Sequence, residues 1–336
     1  MKKGGYAMNV EEEKDFYIND SYSPYTTVKK TEEHTTYIID VPSKYNIELE
    51  HHPILPGMSI IISHANLMQK YSSEDVLLYF PKPEDMLIVS YLIEGEGQIA
   101  ADKDKFIPLK DGDIHIHLNP YNNNYYSYFG ENEIAHILIN RDKIRKYEKT
   151  YTDEYIKILK EIYKKSNIEQ IIVIKSEYNL QKILDEMKLY QTEDLTLRRV
   201  YHQIKIIEII IYLYKLKFIS NQETYKTYTD AQIRVVRKIK NHLSRDIASY
   251  KSLESLALNY GINLTTLKNC FKDMYGKPLY TWYREYKFKR ATDLIKNTDY
   301  PISKIANMIG YKSSSKFTKA FKKEMGVLPS SYRKKK

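Results

Sequence analysis

The sequence predicts an α+β protein of two domains, a β-rich N-terminal domain with following helices and an all-α C-terminal domain. Short apolar runs separated by turn-forming residues predict the strands. Apolar residues at helical spacing predict helices from about residue 152. A pattern that occurs twice in the last hundred residues predicts two copies of one helical unit. The 336 residues are enough for two domains, each with its own core.

The predicted strands lie between residues 37 and 140. Gly, Pro, Asn and Asp interrupt the apolar runs at short intervals, which is typical of a β-sandwich or a small barrel. The runs are Met58–Ser63, Met86–Ile93, Gln98–Ala100, Asp113–Leu118 and Ile134–Ile139. Residues 1–36 are polar and lack a clear period, so we interpret them as an arm that is partly disordered.

Three apolar stripes at helical spacing follow between residues 152 and 216. The third, in Leu195–Leu216, has apolar residues on more than one face, which is more than a surface helix needs. We therefore expect one face to pack on the β domain and the other to form a homodimer; the alternative is complete burial within the chain. The polar residues that follow predict a linker over 220–229.

Charge is distributed unevenly along the chain. Residues 231–336 contain 24 Lys and Arg against 7 Asp and Glu, a net charge of +17, whereas the whole chain carries +10. The first 230 residues are therefore acidic. A basic C-terminal domain behind an acidic segment favours a polyanionic partner, nucleic acid, for the C-terminal domain alone.

One short pattern occurs twice in this basic region, at an offset of 49 or 50 residues. The first copy contains Ala257, Gly261, Leu267, Phe271, Lys272 and Gly276, and the second contains Ala306, Gly310, Phe317, Phe321, Lys322 and Gly326. The small Ala257 or Ala306 allows two helices to cross closely. Gly261 or Gly310 allows a left-handed turn between them. Each copy therefore predicts a helix-turn-helix, whose second helix enters the major groove of DNA.

The second helix of each copy has an outward face of short polar side chains and cations. Such groups read base edges or hold phosphates. We predict as DNA-binding residues Asn263, Thr265, Thr266, Lys268, Asn269, Lys272, Ser314, Ser315, Thr318, Lys319 and Lys322. An ordinary surface helix also has a polar face, but two equivalent faces that both carry lysines favour DNA binding.

A long helix is predicted between the two copies, over Leu279–Asn297. Its 19 residues span roughly 28 Å at about 1.5 Å per residue, which is close to the ~34 Å of one turn of DNA. A rigid helix of this length would set the two recognition helices into successive major grooves on one side of the duplex.

The same stretch resembles the signature of the AraC/XylS family of transcriptional regulators. The resemblance covers about residues 228–334. It is carried by the second copy, by Trp282–Leu294 with Lys287 where an Arg is usual, and by the closing residues Pro329, Tyr332 and Arg333. It implies an AraC-type DNA-binding domain over 230–336, and activation of transcription through contact with RNA polymerase.

The resemblance also implies a divergent N-terminal domain, often a cupin-like β-barrel followed by helices. Here that domain would cover residues 37–219, with the barrel ending at about 140, and would bind an unknown small-molecule effector or dimerise the protein. We therefore expect a ligand-responsive activator. A constitutive regulator whose N-terminal domain only dimerises is an alternative.

A second alternative is a cupin-type metalloenzyme fused to a DNA-binding domain. Alternation along Asp113–Leu118 puts Asp113, His115 and His117 on one face, and His-x-His with a carboxylate is a ligand set in cupin enzymes. The further ligands are not evident, so we interpret this segment as a strand with a polar face. We expect no catalytic residues, no cofactor and no metal.

The single cysteine, Cys270, excludes an intrachain disulfide and a site with several cysteines. The most apolar stretch, 204–219, is too charged and too short to span a bilayer. No apolar run near the start of the sequence resembles a signal peptide. We therefore expect a cytoplasmic protein without a membrane segment.

Overall fold

The computed structural model describes most of the chain. The described residues are 17–18, 20–72, 78–79, 85–102, 104–118, 126–168, 171–175, 178–190, 192–215, 225–250 and 252–333. The chain divides into two compact units, of which the first contains Met1–Ala100 and Leu109–Thr224 and the second Ala101–Pro108 and Tyr225–Lys336. Residues 1–16 and 19 of the predicted arm, and residues 220–224 of the predicted linker, lie outside the described residues.

The first unit is built on antiparallel strands. The strands are β1 (Tyr17–Ile18), β2 (Thr26–Lys30), β3 (Thr35–Val41), β4 (Tyr45–Leu55), β5 (Met58–Ser72), β6 (Leu78–Tyr79), β7 (Met86–Asp102), β8 (Lys105–Lys110), β9 (Ile114–Leu118), β10 (Tyr126–Asn140) and β11 (Ile171–Ile174). Strands β1 and β6 pair with each other, and the other nine form one sheet in the order β11-β9-β7-β10-β5-β4-β3-β2, with β8 on β7.

The α+β class is confirmed, but the large sheet is not a closed cupin-like barrel. Among the described strands β2 and β11 lie at its two ends. Strand β11 follows a helix and pairs with β9, where it occupies one edge. Strand β2 lies in the predicted arm; its side chains are mostly exposed, so it lacks the apolar alternation that reveals a half-buried strand.

Several strands are longer than the apolar runs that predict them. Met86–Ile93 and Gln98–Ala100 belong to the single strand β7, which continues through Gly95 at φ +132°. Its ladder with β10 shifts in register between Phe129 and Ile134. A bulge of this kind lets polar residues remain in a strand without following the apolar alternation.

Four helices complete the first unit: α1 (Arg141–Lys146), α2 (Asp153–Ile168), α3 (Tyr178–Leu189) and α4 (Leu195–Lys215). One core joins them to one face of the sheet. Leu87, Ile116 and Ile137 from strands pack there with Ile162 from α2 and Ile210 from α4, all nearly inaccessible to water.

The second unit contains seven described α-helices. They are α5 (Asp230–Arg245), α6 (Leu253–Asn259), α7 (Leu264–Tyr275), α8 (Leu279–Asn297), α9 (Ile302–Met308), α10 (Ser314–Met325) and α11 (Pro329–Tyr332). Residues 101–108 join this unit because Phe106 exchanges two backbone hydrogen bonds with Tyr228, of 2.8 and 3.0 Å. Of the described helices, none has the length and apolar character needed to cross a bilayer.

Candidate nucleic-acid interface

The first helix-turn-helix of the second unit consists of α6, a tight turn and α7. Gly261 stands in the turn at φ +64°, a conformation that glycine adopts without strain. The N–H of Ile262 donates to the carbonyl oxygen of Ala257 at 3.0 Å. Ala257 is buried where the helices meet, so its small side chain allows the close crossing that the sequence predicts.

The second helix-turn-helix, formed by α9 and α10, repeats this geometry. Gly310 has φ +82°, and the N–H of Tyr311 donates to the carbonyl oxygen of Ala306 at 2.9 Å. Ala306 is fully buried. The same bond at an offset of 49 residues shows that the repeat in the sequence is a repeat in structure.

Both recognition helices, α7 and α10, are capped at both ends. The Asn263 side-chain oxygen accepts from the backbone N–H groups of Thr265 at 2.9 Å and Thr266 at 3.3 Å. Ser313 caps α10 by accepting from Lys316 at 3.4 Å. Each helix ends at a left-handed glycine, Gly276 or Gly326. The caps fix where each helix begins, which is the end that a helix-turn-helix presents to the major groove.

The inward faces of the two helices are apolar and inaccessible to water. Leu267 and Phe271 of α7 lie in a core with residues of α5 and the start of α8. Phe317 and Phe321 of α10 lie in a second core with residues of α9 and the rest of α8. Packing of these faces leaves the opposite face of each recognition helix in solvent.

All eleven predicted DNA-binding residues lie outside the cores. Eight of them are exposed, including Lys268 and Lys272 on α7 and Lys319 and Lys322 on α10, while Thr266, Asn269 and Thr318 are half-buried. The carboxamide oxygen of Asn263 is engaged as a helix cap, so its NH₂ group remains as the donor for a ligand.

The structure adds one residue that the sequence analysis missed. Lys316 is exposed in the first turn of α10. It occupies the position of Thr266 in α7 at the offset of 50 residues, so the repeat itself was a sufficient signal for it. With Lys316 the first two turns of α10 carry two exposed lysines, Lys316 and Lys319, on the N-terminal half of the recognition helix.

Helix α8 spans the two helix-turn-helix units and has the bounds that the sequence predicts. Leu279 and Tyr283, near its start, belong to the first core. Phe288, Ala291 and Ile295 belong to the second core. One helix of roughly 28 Å, at about 1.5 Å per residue, thus holds both helix-turn-helix units, which we call the two reading units.

In the first unit, His115 and His117 of β9 are buried and contact each other. His115 also contacts the Tyr128 hydroxyl at 2.7 Å. Burial lowers the pKa of His117 to about 3 and that of His115 well below its usual value. Both rings are therefore neutral at pH 7. No group of three or more His, Cys, Asp or Glu in the described part of the chain is arranged to hold a metal ion.

Asp113, which the alternation along β9 predicts on the same face as the two histidines, is paired with lysines. Its fully buried carboxylate accepts a hydrogen bond from the Lys175 ammonium at 2.7 Å. The same carboxylate lies 3.3 Å from the Lys110 ammonium. Both lysines compensate its charge, so Asp113 forms a structural ion-pair network beside β9.

A stripe of exposed apolar side chains runs along α4. Ile204, the most exposed of them, is 57% accessible. The stripe consists of Leu197, Val200, Ile204, Ile207, Ile211 and Tyr214. Its spacing alternates between three and four residues, the heptad spacing of a two-helix coiled coil. The buried residues Ile206 and Leu213 occupy a different face of the same helix, so α4 is apolar on two faces, as the sequence predicts.

Comparison with known proteins identifies the second unit. Residues 256–335 match a helix-turn-helix domain family. The xylose operon regulatory protein of Escherichia coli is 30% identical over 110 residues, which are 32% of this chain and 27% of that protein. The transcriptional regulator ExsA of Pseudomonas aeruginosa is 29% identical over 97 residues, which are 29% of this chain and 35% of that protein.

Among solved structures, the C-terminal domain of the response regulator AraT from Geobacillus stearothermophilus is 30% identical; the match covers 31% of this chain and 84% of that chain, with a TM-score of 0.28. The chain thus spans about a third or less of the length of the curated relatives it matches. The recognition of an AraC-type helix-turn-helix domain at the C-terminal end of the sequence is confirmed.

Proposed function

We propose that this chain is a cytoplasmic, sequence-specific regulator of transcription that binds two successive major grooves with one polypeptide. The observation that carries the proposal is the pair of matched helix-turn-helix units with the same turn hydrogen bond, joined by α8. The predicted contact residues on α7 and α10 are accessible, and the region around them has a net charge of +17. Both features suit a basic surface that contacts DNA through two recognition helices.

The chemistry of the two faces supports different roles. The lysine ammonium groups on each helix suit phosphate oxygens or the O6 and N7 acceptors of guanine. The hydroxyls of Thr265, Ser314 and Ser315 lie at the N-terminal ends of the recognition helices, where side chains reach base edges or phosphates. Because the outward residues of α7 and α10 differ, the two half-sites need not be alike in sequence.

The test is binding of the full chain to duplexes selected from a random pool, measured at several salt concentrations. Each neutralised phosphate contributes about −0.9 to the slope of log K against log salt. We expect a steep negative slope, and footprints over two grooves about one turn apart. A slope near zero would refute phosphate contact, and a single protected groove would refute the double reading.

The proposal includes a homodimer formed through the exposed stripe of α4. An apolar stripe of six residues in a heptad pattern is costly to leave in water. A second copy of the same helix matches it in spacing and chemistry, and in antiparallel orientation Ile204 would face Ile207 of the other copy, and Val200 would face Ile211. The same pairing brings Lys215 near Asp194 of the other copy, which is favourable in sign.

The proposal also includes activation through RNA polymerase in response to a small-molecule effector bound by the first unit. It is supported by the resemblance and by the names of the relatives, which are regulators. Transcription in vitro from a promoter with a selected site should rise with added chain. A compound that raises the melting temperature of the first unit would identify an effector. A chain that activates fully without any compound would favour the constitutive alternative.

A further inference from the structure

A lysine in the middle of α8 lies between the two reading units. The Nζ atom of Lys287 is 5.1 Å from the ring centroid of Tyr283 and 4.6 Å from that of Tyr311. Tyr283 lies one turn earlier on the same helix. Tyr311 directly follows Gly310 in the turn of the second helix-turn-helix. The ammonium group therefore bridges the shared helix and the turn of the second reading unit.

Tyr283 in turn contacts the first half of the second unit, which contains α5, α6 and α7. Its hydroxyl donates to the carbonyl oxygen of Ile247 at 2.6 Å, and its ring stacks on Tyr250 at 4.5 Å. Both partners lie in the connection between α5 and α6. A continuous set of contacts thus runs from the first half through Tyr283 and Lys287 to Tyr311.

The two halves also approach each other closely at this point. A Cβ atom placed on Gly310 would lie 3.3 Å from the Cα of Ala248 and 3.6 Å from Nζ of Lys287. Ile247 packs against the first core and against the second. The close approach means that the position of Lys287 depends on how the two halves are oriented.

The environment of Lys287 strengthens this contact. The side chain is half-buried, and burial lowers the pKa of its ammonium group. A cation that has lost water is attracted more strongly to aromatic faces than an exposed one. The two tyrosine faces replace part of the lost hydration. Separating the halves would remove the Tyr311 face and with it part of this compensation.

We infer that Lys287 is a positioning residue that fixes the orientation of the second helix-turn-helix relative to the first. The contact set Tyr283–Lys287–Tyr311 restrains the hinge between the two reading units and so sets the spacing of grooves that one chain accepts. The effect on DNA rests on the proposed function, whereas the restraint on orientation does not.

The restraint is tested without DNA by pulsed electron–electron distance measurement. Spin labels are attached to the full chain at Lys272→Cys on α7 and Lys322→Cys on α10, and the labelled chain is diluted into unlabelled chain. Native Cys270 is fully buried and is not expected to react. We expect one narrow distance distribution, a broader one in Lys287→Met, and a narrow one again in Lys287→Arg, which keeps the cation.

The matched control is Lys289→Met, which removes an exposed lysine two residues further along α8. It should leave the distribution narrow. Circular dichroism checks that each variant folds, and Tyr311→Leu, which removes one aromatic face, replaces Lys287→Met if that variant fails to fold. An unchanged distribution in the folded variant would overturn the inference.

The consequence for DNA is measured with a selected duplex and a second duplex that carries an added half turn between the two grooves. The wild-type chain should strongly prefer the first. Lys287→Met should reduce that preference by about tenfold, the order expected for one desolvated cation–π contact, while Lys287→Arg should retain it. Failure to select any duplex would contradict the proposed function and leave the distance result standing; equal preference in Lys287→Met and wild type would contradict the inference.

Discussion

Single side chains of the second unit carry the proposed contact with DNA. Lys319 is exposed on α10, on the face opposite Phe317 and Phe321, which fill the core. The same helix face in the first unit carries Lys268 and Asn269. A side chain in this position lies outside the core, so under the proposed function its removal should separate DNA affinity from stability.

Replacement of Lys319 by Ala should weaken DNA binding and leave the melting temperature unchanged. If the ammonium holds a phosphate, the slope of log K against log salt should become less steep by about 0.9. Fluorescence anisotropy with a selected duplex measures both quantities. Lys289→Ala on α8 is the control, since it removes the same charge from a surface outside the recognition helices; equal losses in both variants would mean that only net charge matters.

Buried histidines make the first unit sensitive to acid. Burial holds the pKa of His117 at about 3 and that of His136 at about 4, against about 6.5 in an unfolded chain. Below pH 6.5 the unfolded state therefore binds protons that the folded state does not. These histidines therefore leave the free energy of unfolding of the first unit undiminished above about pH 6.5, and they lower it as the pH falls towards 4.

The urea midpoint of the first unit, followed by circular dichroism, should therefore fall between pH 7 and pH 5. His117→Gln should make this fall shallower by up to about 1.4 kcal/mol per pH unit, the contribution of one proton. The matched control is His64→Gln, at an exposed position on the sheet. Parallel curves for His117→Gln and the wild type would contradict this assignment.

At the scale of secondary-structure elements, the two turns are equal in conformation and unequal in surroundings. Gly261 and Gly310 both have positive φ, which costs an L-residue about 1 kcal/mol or more. Apart from its chain neighbours, no atom in the described part of the chain lies within 4 Å of a Cβ placed on Gly261, whereas one on Gly310 would meet the backbone of Ala248 at 3.3 Å. The repeat in the sequence does not distinguish them.

Gly310→Ala should consequently destabilise the second unit more than Gly261→Ala. We expect roughly 1 kcal/mol for Gly261→Ala from backbone strain alone, and a larger loss for Gly310→Ala because Ala248 must also move. Urea unfolding followed by fluorescence of Trp282, the only tryptophan, reports on this unit. Equal losses would show that the contact with Ala248 relaxes without cost.

At the scale of the whole molecule, the chain combines an acidic first part and a basic second unit. Their net charges, −7 over the first 230 residues and +17 over the remainder, confine the attraction for DNA to the second unit. A homodimer through α4 would bring four reading units to one DNA molecule. Binding by linked units is strengthened by effective concentration without any new contact.

Ile204→Glu should convert the proposed dimer into a monomer, because it places a charge in the centre of the exposed stripe of α4. Sedimentation velocity at micromolar concentration measures the change. Arg199→Glu, at an exposed position outside the stripe, is the control and should remain dimeric. A wild-type chain that sediments as a monomer, or an Ile204→Glu variant that remains dimeric, would show that the stripe has another role.

The sequence by itself determined most of the second unit. The bounds of α8 and the turns at Gly261 and Gly310 follow from residues close together in the chain. Such local signals act before any distant contact forms, and the internal repeat presents most of them twice. Lys316 also follows from the repeat, because it stands 50 residues after Thr266.

Tertiary structure alone decided the rest. The open edges of the sheet, the ion pair of Asp113 with Lys175 and the place of Lys287 between two tyrosines each depend on residues far apart in sequence. Alternation along a strand indicates which residues share a face, but not whether that face meets solvent, a core or an ion pair. Those outcomes depend on the burial and the charges that only the folded chain brings together.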